Sequence, residues 1–233
     1  KRSETPSKKR PSRFFRGGRM RYYIADCHFY HKALLDHMDC RGFDSVESMN
    51  EYMIEQWNKK VRKNDEVVIL GDLSWGNLAQ TQQILDQLQG HLFMIRGNHD
   101  YFLDDKQFDR SQFDWIETYK ELNDNKRKVI LCHYPIACYN GQYRKSEDGQ
   151  AKTYMLHGHI HNTQDQPILD AYQDYVHRQW HDAIGGGKEH IPCQIINCFC
   201  MYSDYQPMTL DEWIEIDKKR RQSTKINDTI WQR

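Results

Sequence analysis

The sequence predicts an α/β fold built on a largely parallel sheet. Three observations lead to this prediction: five short apolar runs recur along the chain, amphipathic helical patterns separate the first three, and each run leads into polar residues. An apolar run that ends in a turn is typical of a buried strand. Strands that alternate with helices form βαβ units with right-handed crossovers.

A motif rich in Asp or His follows each predicted strand. In chain order these pairs are Tyr22–Ile24 before Asp26-Cys27-His28, Val67–Leu70 before Gly71-Asp72, Leu92–Ile95 before Arg96-Gly97-Asn98-His99-Asp100, Val129–Cys132 before His133, and Tyr154–Leu156 before His157-Gly158-His159-Ile160-His161. Open α/β sheets bind ligands beyond the carboxyl ends of their strands. We therefore expect the five motifs to meet at one sheet edge.

Two helices are predicted between the first three strands. Asp44 and Glu47 have the spacing of a capping box, with Asp44 as the N-cap. The helix that follows places its apolar residues on one face: Val46, Met49, Met53, Ile54, Trp57 and Val61. A second amphipathic helix is expected from Leu78 to Gln89, with Gly90 as its stop.

The C-terminal part predicts two further helices. Helical spacing between Gln164 and Ile184 indicates an inserted helix on the rim of the sheet, followed by Gly185–Gly187 as a flexible joint. A second capping box, Thr209 to Glu212, starts a terminal helix. We expect one domain over residues 20–233, with the insertion at about 164–187.

The N-terminal residues differ in composition from the rest. Residues 1–19 hold eight Lys or Arg and one acid, whereas residues 20–233 carry 25 basic and 32 acidic groups. Ser, Pro, Lys and Arg build no core. We expect residues 1–19 to be a disordered basic leader or a segment added for expression, since Met20 immediately precedes the first strand; a contact with nucleic acid is the alternative.

Cysteine usage and hydropathy bear on the compartment. The seven cysteines form no C-x-x-C pair, which favours reduced thiols and a cytoplasmic protein. No apolar stretch reaches the length of a membrane span, so no membrane partner is expected.

The motifs supply seven candidate metal ligands: Asp26, His28, Asp72, Asn98, His133, His159 and His161. Mixed carboxylate, imidazole and amide ligands suit Mn²⁺ first, with Fe, Zn²⁺ and Co²⁺ as alternatives. Seven ligands exceed what one ion takes but suit two ions that share a carboxylate. Such a pair can activate a bridging hydroxide and clamp a phosphate oxygen.

The ordered series Asp-x-His, Gly-Asp, Gly-Asn-His-Asp, His and Gly-His-x-His resembles the calcineurin-like metallophosphoesterase superfamily over roughly residues 20–215. The resemblance implies a four-layer αββα sandwich of two mixed sheets flanked by helices. By motif position, it implies one metal on Asp26, His28, Asp72 and His161, and a second on Asp72, Asn98, His133 and His159. It further implies that His99 is a non-ligand catalytic histidine whose ring Asp100 orients.

A narrower resemblance links the chain to a small bacterial and phage-type branch of uncharacterised phosphoesterases. Asp26 to His31, His133-Tyr134-Pro135 and Tyr205 to Glu212 carry it. Protein Ser/Thr phosphatases of the superfamily have an arginine soon after Gly-Asp, where this chain has Leu73-Ser74-Trp75-Gly76.

Four more residues are candidate substrate contacts: Arg96, His31, Tyr139 and Asn140. Arg96 could hold a phosphate oxygen or pair with an acid at the sheet edge. His31 has a substrate-facing and a plain surface role as alternatives, and His157 is expected to be structural.

The sequence leads to a dinuclear metal-dependent phosphoesterase for a small or nucleotide-like phosphomonoester or phosphodiester. Two other functions stay open: a catalytically silent scaffold of the same fold, and a nuclease that processes nucleic-acid ends. The oligomeric state has no signature in the sequence.

Overall fold

The computed structural model describes residues 18–183 and 185–231. Most of the predicted basic leader, residues 1–17, lies outside the described residues. None of the helices in the described ranges combines the length and apolar character that crossing a bilayer requires.

The described residues form ten strands and four α-helices. The strands are β1 (Arg21–Ile24), β2 (Glu66–Ile69), β3 (His91–Ile95), β4 (Trp115–Glu117), β5 (Tyr119–Asp124), β6 (Arg127–Cys132), β7 (Thr153–His157), β8 (Trp180–Asp182), β9 (Lys188–His190) and β10 (Ile195–Asn197). The helices are α1 (Val46–Lys60), α2 (Leu78–Leu85), α3 (Asp165–His177) and α4 (Leu210–Trp231).

Eight of the ten strands form two sheets. The first has the order β1-β2-β3-β4 and is parallel throughout. The second has the order β10-β7-β6-β5, in which β10, β7 and β6 run parallel and β5 runs antiparallel. β8 and β9 form a separate antiparallel hairpin. The predicted strand–helix–strand order of the first sheet is confirmed.

The side chains of β2 and of the next residue, Leu70, alternate between two cores, which shows how the layers are stacked. Val67 and Ile69 pack in a core with Trp57 of α1, on the helix side of the first sheet. Val68 and Leu70 point the other way, into a core shared with the second sheet. Successive strand residues face opposite sides, so a strand buried on both faces reads as one continuous apolar run.

The second sheet is also buried on both faces. Val129 and Leu131 of β6 lie in the core between the sheets. Ile130 faces outward and packs with Val176 of α3. The layers are therefore helix, sheet, sheet and helix, which confirms the predicted four-layer sandwich, although the first sheet is parallel rather than mixed.

The N-cap of helix α1 lies one residue later than the sequence predicts. Ser45, with extended backbone (φ −152°), is the N-cap, and its Oγ accepts a hydrogen bond from the N–H of Ser48. Asp44 as N-cap was the wrong choice because two overlapping pairs, Asp44–Glu47 and Ser45–Ser48, have the same spacing. The second predicted box is confirmed: Thr209 Oγ1 accepts from the N–H of Glu212, whose carboxylate accepts from the N–H of Thr209.

Helix α2 ends at Leu85, four residues before the predicted end at Gln89. Side chains of α1 bind the backbone groups beyond it. Asn58 donates to the carbonyl of Gln87 and accepts from the N–H of Gln89, and Trp57 Nε1 donates to the Gln89 carbonyl. These tertiary hydrogen bonds replace the bonds that a longer helix would make.

The predicted helix between Gln164 and Ile184 is α3, but it ends at His177, and Trp180–Asp182 form strand β8 instead. Helix α3 packs on the outer face of the second sheet rather than on its rim. Gly185–Gly187 is a hairpin turn rather than a flexible joint. The N–H of Ala183 donates to the carbonyl of Gly187 (3.0 Å), and all three glycines have positive φ. Such φ values suit glycine, and the β8–β9 pairing constrains them.

Helix α4 joins the inner core to the outer helix. Trp213 is fully buried between the sheets, and its Nε1 donates to the carbonyl of Tyr23 in β1 (2.8 Å). Farther along α4, Arg220 forms an ion pair with Asp170 of α3 (2.6 Å). α4 thereby ties the first sheet to the opposite outer layer.

Replacing Trp213 by Ala should lower the free energy of unfolding by about 3–5 kcal/mol, because it opens a cavity in the inner core and removes one of the two hydrogen bonds that the Tyr23 carbonyl accepts. The measurement is urea unfolding followed by circular dichroism. Trp180→Ala is the matched control, since that side chain is 59% exposed. A loss of similar size in both variants would contradict the assigned role of Trp213.

Candidate metal centre

The seven expected ligands lie where five strands end. Asp26 and His28 follow β1, Asp72 follows β2, and Asn98 follows β3 in the first sheet. His133 follows β6, and His159 and His161 follow β7 in the second sheet. Because these strands are parallel within each sheet, their carboxyl ends share an edge. The site therefore spans both sheets.

Five of these residues have left-handed backbone: Asp26 (φ 56°), His28 (49°), Asp72 (53°), His159 (72°) and His161 (47°). This region costs an L-residue about 1–2 kcal/mol. The turns are held by bonds between motifs, such as Asp26 N–H to the Gly71 carbonyl and His28 N–H to the Asp72 carbonyl. The strained turns aim the side chains at a common centre.

Two motif glycines make room for ligands. A Cβ on Gly97 would lie 2.2 Å from Oδ1 of Asp72, and a Cβ on Gly71 would lie 2.3 Å from Nδ1 of His133. Both distances are far shorter than van der Waals contact. The glycine in Gly-Asp and in Gly-Asn is therefore required by close packing against a candidate ligand that follows another strand.

One side of the centre consists of Asp26, His28 and His161, whose ligand atoms lie within 4.8 Å of one another. The Nε2 atoms of His28 and His161 are 3.1 Å apart. Nε2 of His28 is also 3.5 Å from Oδ2 of Asp72. All four side chains are buried.

The other side contains Asp72, Asn98, His133 and His159. Oδ2 of Asp72 lies 3.5 Å from Nε2 of His133, the same distance that separates it from His28. Oδ1 of Asn98 is 2.9 Å from Nε2 of His133 and from Nδ1 of His159. Asp26 lies within 4.8 Å of Asp72 and His133 as well. Asp72 thus stands between the two sides.

The imidazole hydrogen bonds indicate which nitrogens face the centre as lone pairs. Nδ1 of His133 lies 2.8 Å from the Leu70 carbonyl, and Nδ1 of His161 lies 2.8 Å from the Asp39 carboxylate. Both partners are acceptors, so both Nδ1 atoms carry the proton. In the neutral rings, each Nε2 lone pair then faces other acceptors. Lone pairs that face one another repel. A cation bound among these atoms would remove that repulsion, so the set of ligand atoms fits a cation.

The electrostatics of the acids also fit a cation. Complete burial raises the pKa of Asp26 to about 6, although His161 and His133 act to lower it. For Asp72, burial raises the pKa, but hydrogen bonding and charge from His133 outweigh it and lower the pKa to about 2. Burial disfavours a charged His133, yet Asp72 and Asp26 raise its pKa to about 9. When no cation is bound, the raised pKa values mean that Asp26 and His133 bind protons more readily than an ordinary Asp or His, and the protons supply the positive charge that a cation would bring.

Asp39 and Arg41 belong to the site, and the sequence analysis missed both. Asp39 accepts from His161 and from the guanidinium of Arg41 (3.0 Å). Arg41 is buried and also donates to the carbonyls of Asp26 (2.9 Å) and Cys27 (2.6 Å). One ion pair therefore fixes both the His161 ring and the main chain of the first motif. No strand pattern precedes Asp39, so periodicity could not reveal it.

Asp100 does not orient the His99 ring, as the resemblance had implied. Its fully buried carboxylate accepts from three backbone N–H groups, those of Asp72 (2.9 Å), Leu73 (2.8 Å) and Gly97 (2.7 Å). Asp100 therefore joins the turns after β2 and β3. The Asp100 carboxylate is therefore directed at these backbone N–H groups and not at the His99 ring.

His99 lies half-buried at the mouth of the centre. Its ring is 5.7 Å from the ring of His28 and 4.6 Å from that of Trp75, and its N–H donates to Asp72 (2.8 Å). Nδ1 of His99 is buried without a hydrogen-bond partner among the described residues. The His99 ring is therefore close to the candidate metal ligands, but it does not bond to the carbonyl and carboxylate acceptors that hold their rings.

Two of the expected substrate contacts lie near the centre. His31 stacks on Trp75 (4.1 Å, 3° between planes), and its ring is 5.3 Å from that of His28. Arg96 directs both terminal nitrogens of its guanidinium at the Asp104 carboxylate. The structure therefore favours the acid-pairing alternative for Arg96.

The other two expected contacts lie away from the centre. Tyr139 is buried in the core under α3, and its hydroxyl accepts from the N–H of Gln194 (2.6 Å). Asn140 donates to Glu121 of β5 (2.9 Å). Both expectations were wrong because the chain after His133-Tyr134-Pro135 turns onto the outer face of the second sheet.

His157 has the structural position expected of it. Its side chain is fully buried, and its Nδ1 bonds with the carbonyl of Gly158 (2.8 Å). Burial lowers the pKa of His157 to about 4, so the ring is neutral at pH 7. It supports the turn that carries His159.

Comparison with protein families identifies a match. The model of the calcineurin-like phosphoesterase superfamily domain matches residues 23–173. An uncharacterized protein of Methanocaldococcus jannaschii is 28% identical over 211 residues, which cover 89% of this chain and 96% of that protein. The Gene 66 protein of Mycobacterium phage D29 is 28% identical over 189 residues, 66% of this chain and 90% of the phage protein.

A solved structure shares the fold. A protein of unknown function from Aquifex aeolicus superposes with a TM-score of 0.56 at 22% identity. The match covers 86% of this chain and 99% of that one.

Replacing Asp39 by Asn should weaken Mn²⁺ binding about 10- to 100-fold, because an amide neither balances Arg41 nor holds the His161 tautomer firmly. Isothermal titration calorimetry of metal-free protein measures the effect. Asp36→Asn, an exposed change in the same loop, is the control. Equal affinities in the two variants would refute the positioning role of Asp39.

Replacing Gly97 by Ala should remove most metal binding and destabilise the fold by about 1–3 kcal/mol, because the new methyl group overlaps Asp72. Elemental analysis and thermal unfolding report the two effects. Gly18→Ala, where a Cβ meets nothing within 4 Å, should change neither. A metal content like that of the wild type in Gly97→Ala would show that the close approach is not essential.

Proposed function

The chain belongs to the calcineurin-like phosphoesterase superfamily, and from this premise we propose that it is a dinuclear metal-dependent phosphoesterase for a small or nucleotide-like phosphomonoester or phosphodiester. One observation carries the proposal: a single oxygen of Asp72 is 3.5 Å from an imidazole nitrogen on each side of the centre. Asp72 would therefore be the ligand that two cations share.

Asp26, His28 and His161 would hold one cation, Asn98, His133 and His159 the other, and Asp72 both. When bound, two divalent cations lower the pKa of a water so that it can attack phosphorus at neutral pH, and they polarise the phosphoryl oxygens. Four imidazoles beside carboxylate and amide oxygens suit Mn²⁺, or alternatively Fe, Zn²⁺ or Co²⁺.

The charge of the site would select phosphate esters. Two divalent ions add four positive charges, and Asp26 and Asp72 supply two negative ones. Asp39 is balanced by Arg41 at 2.9 Å. The centre is then net cationic, within an acidic chain body that would repel a polyanionic nucleic acid.

The chain's own residues would manage the leaving group. His99 is at the opening of the centre, and its imidazole would hold a proton for the departing oxygen at Nε2, since Nδ1 is buried. The backbone of His99 is fixed because its N–H donates to Asp72. Asp100 holds the same turn by accepting from the N–H of Gly97. Trp75 packs beside the ring and limits its rotation.

We also propose that the protein is cytoplasmic and that its partner is a small phosphorylated molecule. All seven cysteines are free in the structure, which supports a reducing compartment.

His99→Ala should keep both metals and lower kcat by about 10²- to 10⁴-fold, because it removes only proton transfer. Asp72→Ala should lose the metals themselves. The assay combines metal content with hydrolysis of p-nitrophenyl phosphate and bis-p-nitrophenyl phosphate in Mn²⁺. His37→Ala, at an exposed loop position, is the control.

Two results would argue against the proposal. Full activity of both His99→Ala and Asp72→Ala would exclude this centre as the site of hydrolysis. Wild-type protein that binds two metals yet hydrolyses no phosphoester in a broad panel would favour the scaffold alternative.

A further inference from the structure

A cavity of about 500 Å³ adjoins the side of the centre that contains Asn98 and His133. Both residues line it, so a phosphate bound at the centre would have room to direct its substituent into this space. The remaining walls include Tyr119, Tyr134 and Ile136. The volume is in the range of pockets that bind small organic ligands.

The walls offer little for a second charged group. Apart from the His133 imidazole, Arg96 is the one ionisable basic group among the described residues that line the cavity. Its guanidinium is already paired with Asp104 at 2.7 Å. An acidic or multiply phosphorylated substituent would have to compete with Asp104 for Arg96, whereas an uncharged planar group needs no counter-charge.

Two tyrosine rings in the cavity are exposed yet held in place. Tyr134 is 47% exposed and packs edge-on against the rings of His159 (4.5 Å) and His133 (5.2 Å). Tyr119 is 44% exposed, and its hydroxyl donates to Glu121 (2.7 Å). Held aromatic rings lose little entropy on binding, and they stack on bases of any sequence.

We propose that this cavity binds the base of a nucleotide-type phosphoester, with Tyr134 as the stacking surface. The inference rests on the proposed phosphoesterase function and specifies its substrate class. Trp75, at the other side of the mouth, is a weaker candidate because it already stacks on His31 at 4.1 Å. Tyr134 has no parallel stacking partner among the described residues.

The test compares three ligands on Mn²⁺-loaded protein by calorimetry: adenosine 5′-monophosphate, ribose 5-phosphate and inorganic phosphate. Wild-type protein should bind the nucleotide about tenfold or more tightly than ribose 5-phosphate, since one stacked base contributes that much. Tyr134→Ala should bring the two within about threefold, with phosphate affinity unchanged, and Tyr134→Phe should keep the preference.

Tyr175→Ala, an exposed tyrosine of α3, is the control and should keep the preference. If Tyr134→Ala does not fold, Tyr134→Leu, which keeps an apolar side chain but has no aromatic ring, takes its place, with the same loss expected.

Three outcomes overturn the inference. If wild-type protein binds phosphate but shows no preference for the nucleotide, the cavity does not bind a base, and the proposed function stands. If the preference is lost in Trp75→Ala and kept in Tyr134→Ala, the stacking surface is on the other side. If phosphate itself does not bind the metal-loaded protein, the proposed function fails, and this inference fails with it.

Discussion

The whole site depends on one buried carboxylate between two sheets. Asp72 follows a strand of the first sheet, and the same oxygen faces His28 from that sheet and His133 from the other. A charge in such a place is costly unless it is paired and hydrogen-bonded. Its second oxygen accepts from the His99 N–H, and Gly97 leaves it the space it needs. The two sheets therefore pack so that the Asp72 carboxylate fits between their strand ends.

The support around the centre explains how strained turns persist. Left-handed backbone at the motif residues is stable only where the surroundings determine it. Asp100 supplies part of that constraint with three backbone hydrogen bonds, and the Asp39–Arg41 pair supplies another part from a loop on the opposite side. Both acids act on geometry rather than on substrate. A site built in this way has its ligands aimed before a cation arrives, which lowers the reorganisation that binding requires.

The mouth of the centre differs in character from its floor. The floor is polar and buried, whereas the rim carries half-exposed aromatic rings, Trp75 on one side and Tyr134 on the other. This division separates two tasks in the proposed reaction. Buried polar groups would handle the phosphate that every substrate shares, and the aromatic rim would sort substrates by what the phosphate carries.

The amino-acid sequence alone predicted the alternation of strands and helices in the first sheet and the set of motif residues that meet at the sheet edge, and the family resemblance added the four-layer architecture. It could do so because continuous apolar runs and strand-end motifs are local patterns, and parallel strands bring their carboxyl ends together. Tertiary structure decided what no local pattern encodes: Asp39 on His161, Asp100 on backbone N–H groups, Ser45 as the cap and the burial of Tyr139. Each of these depends on contacts between segments distant in sequence or on a choice between equally spaced local partners, so packing selects the outcome.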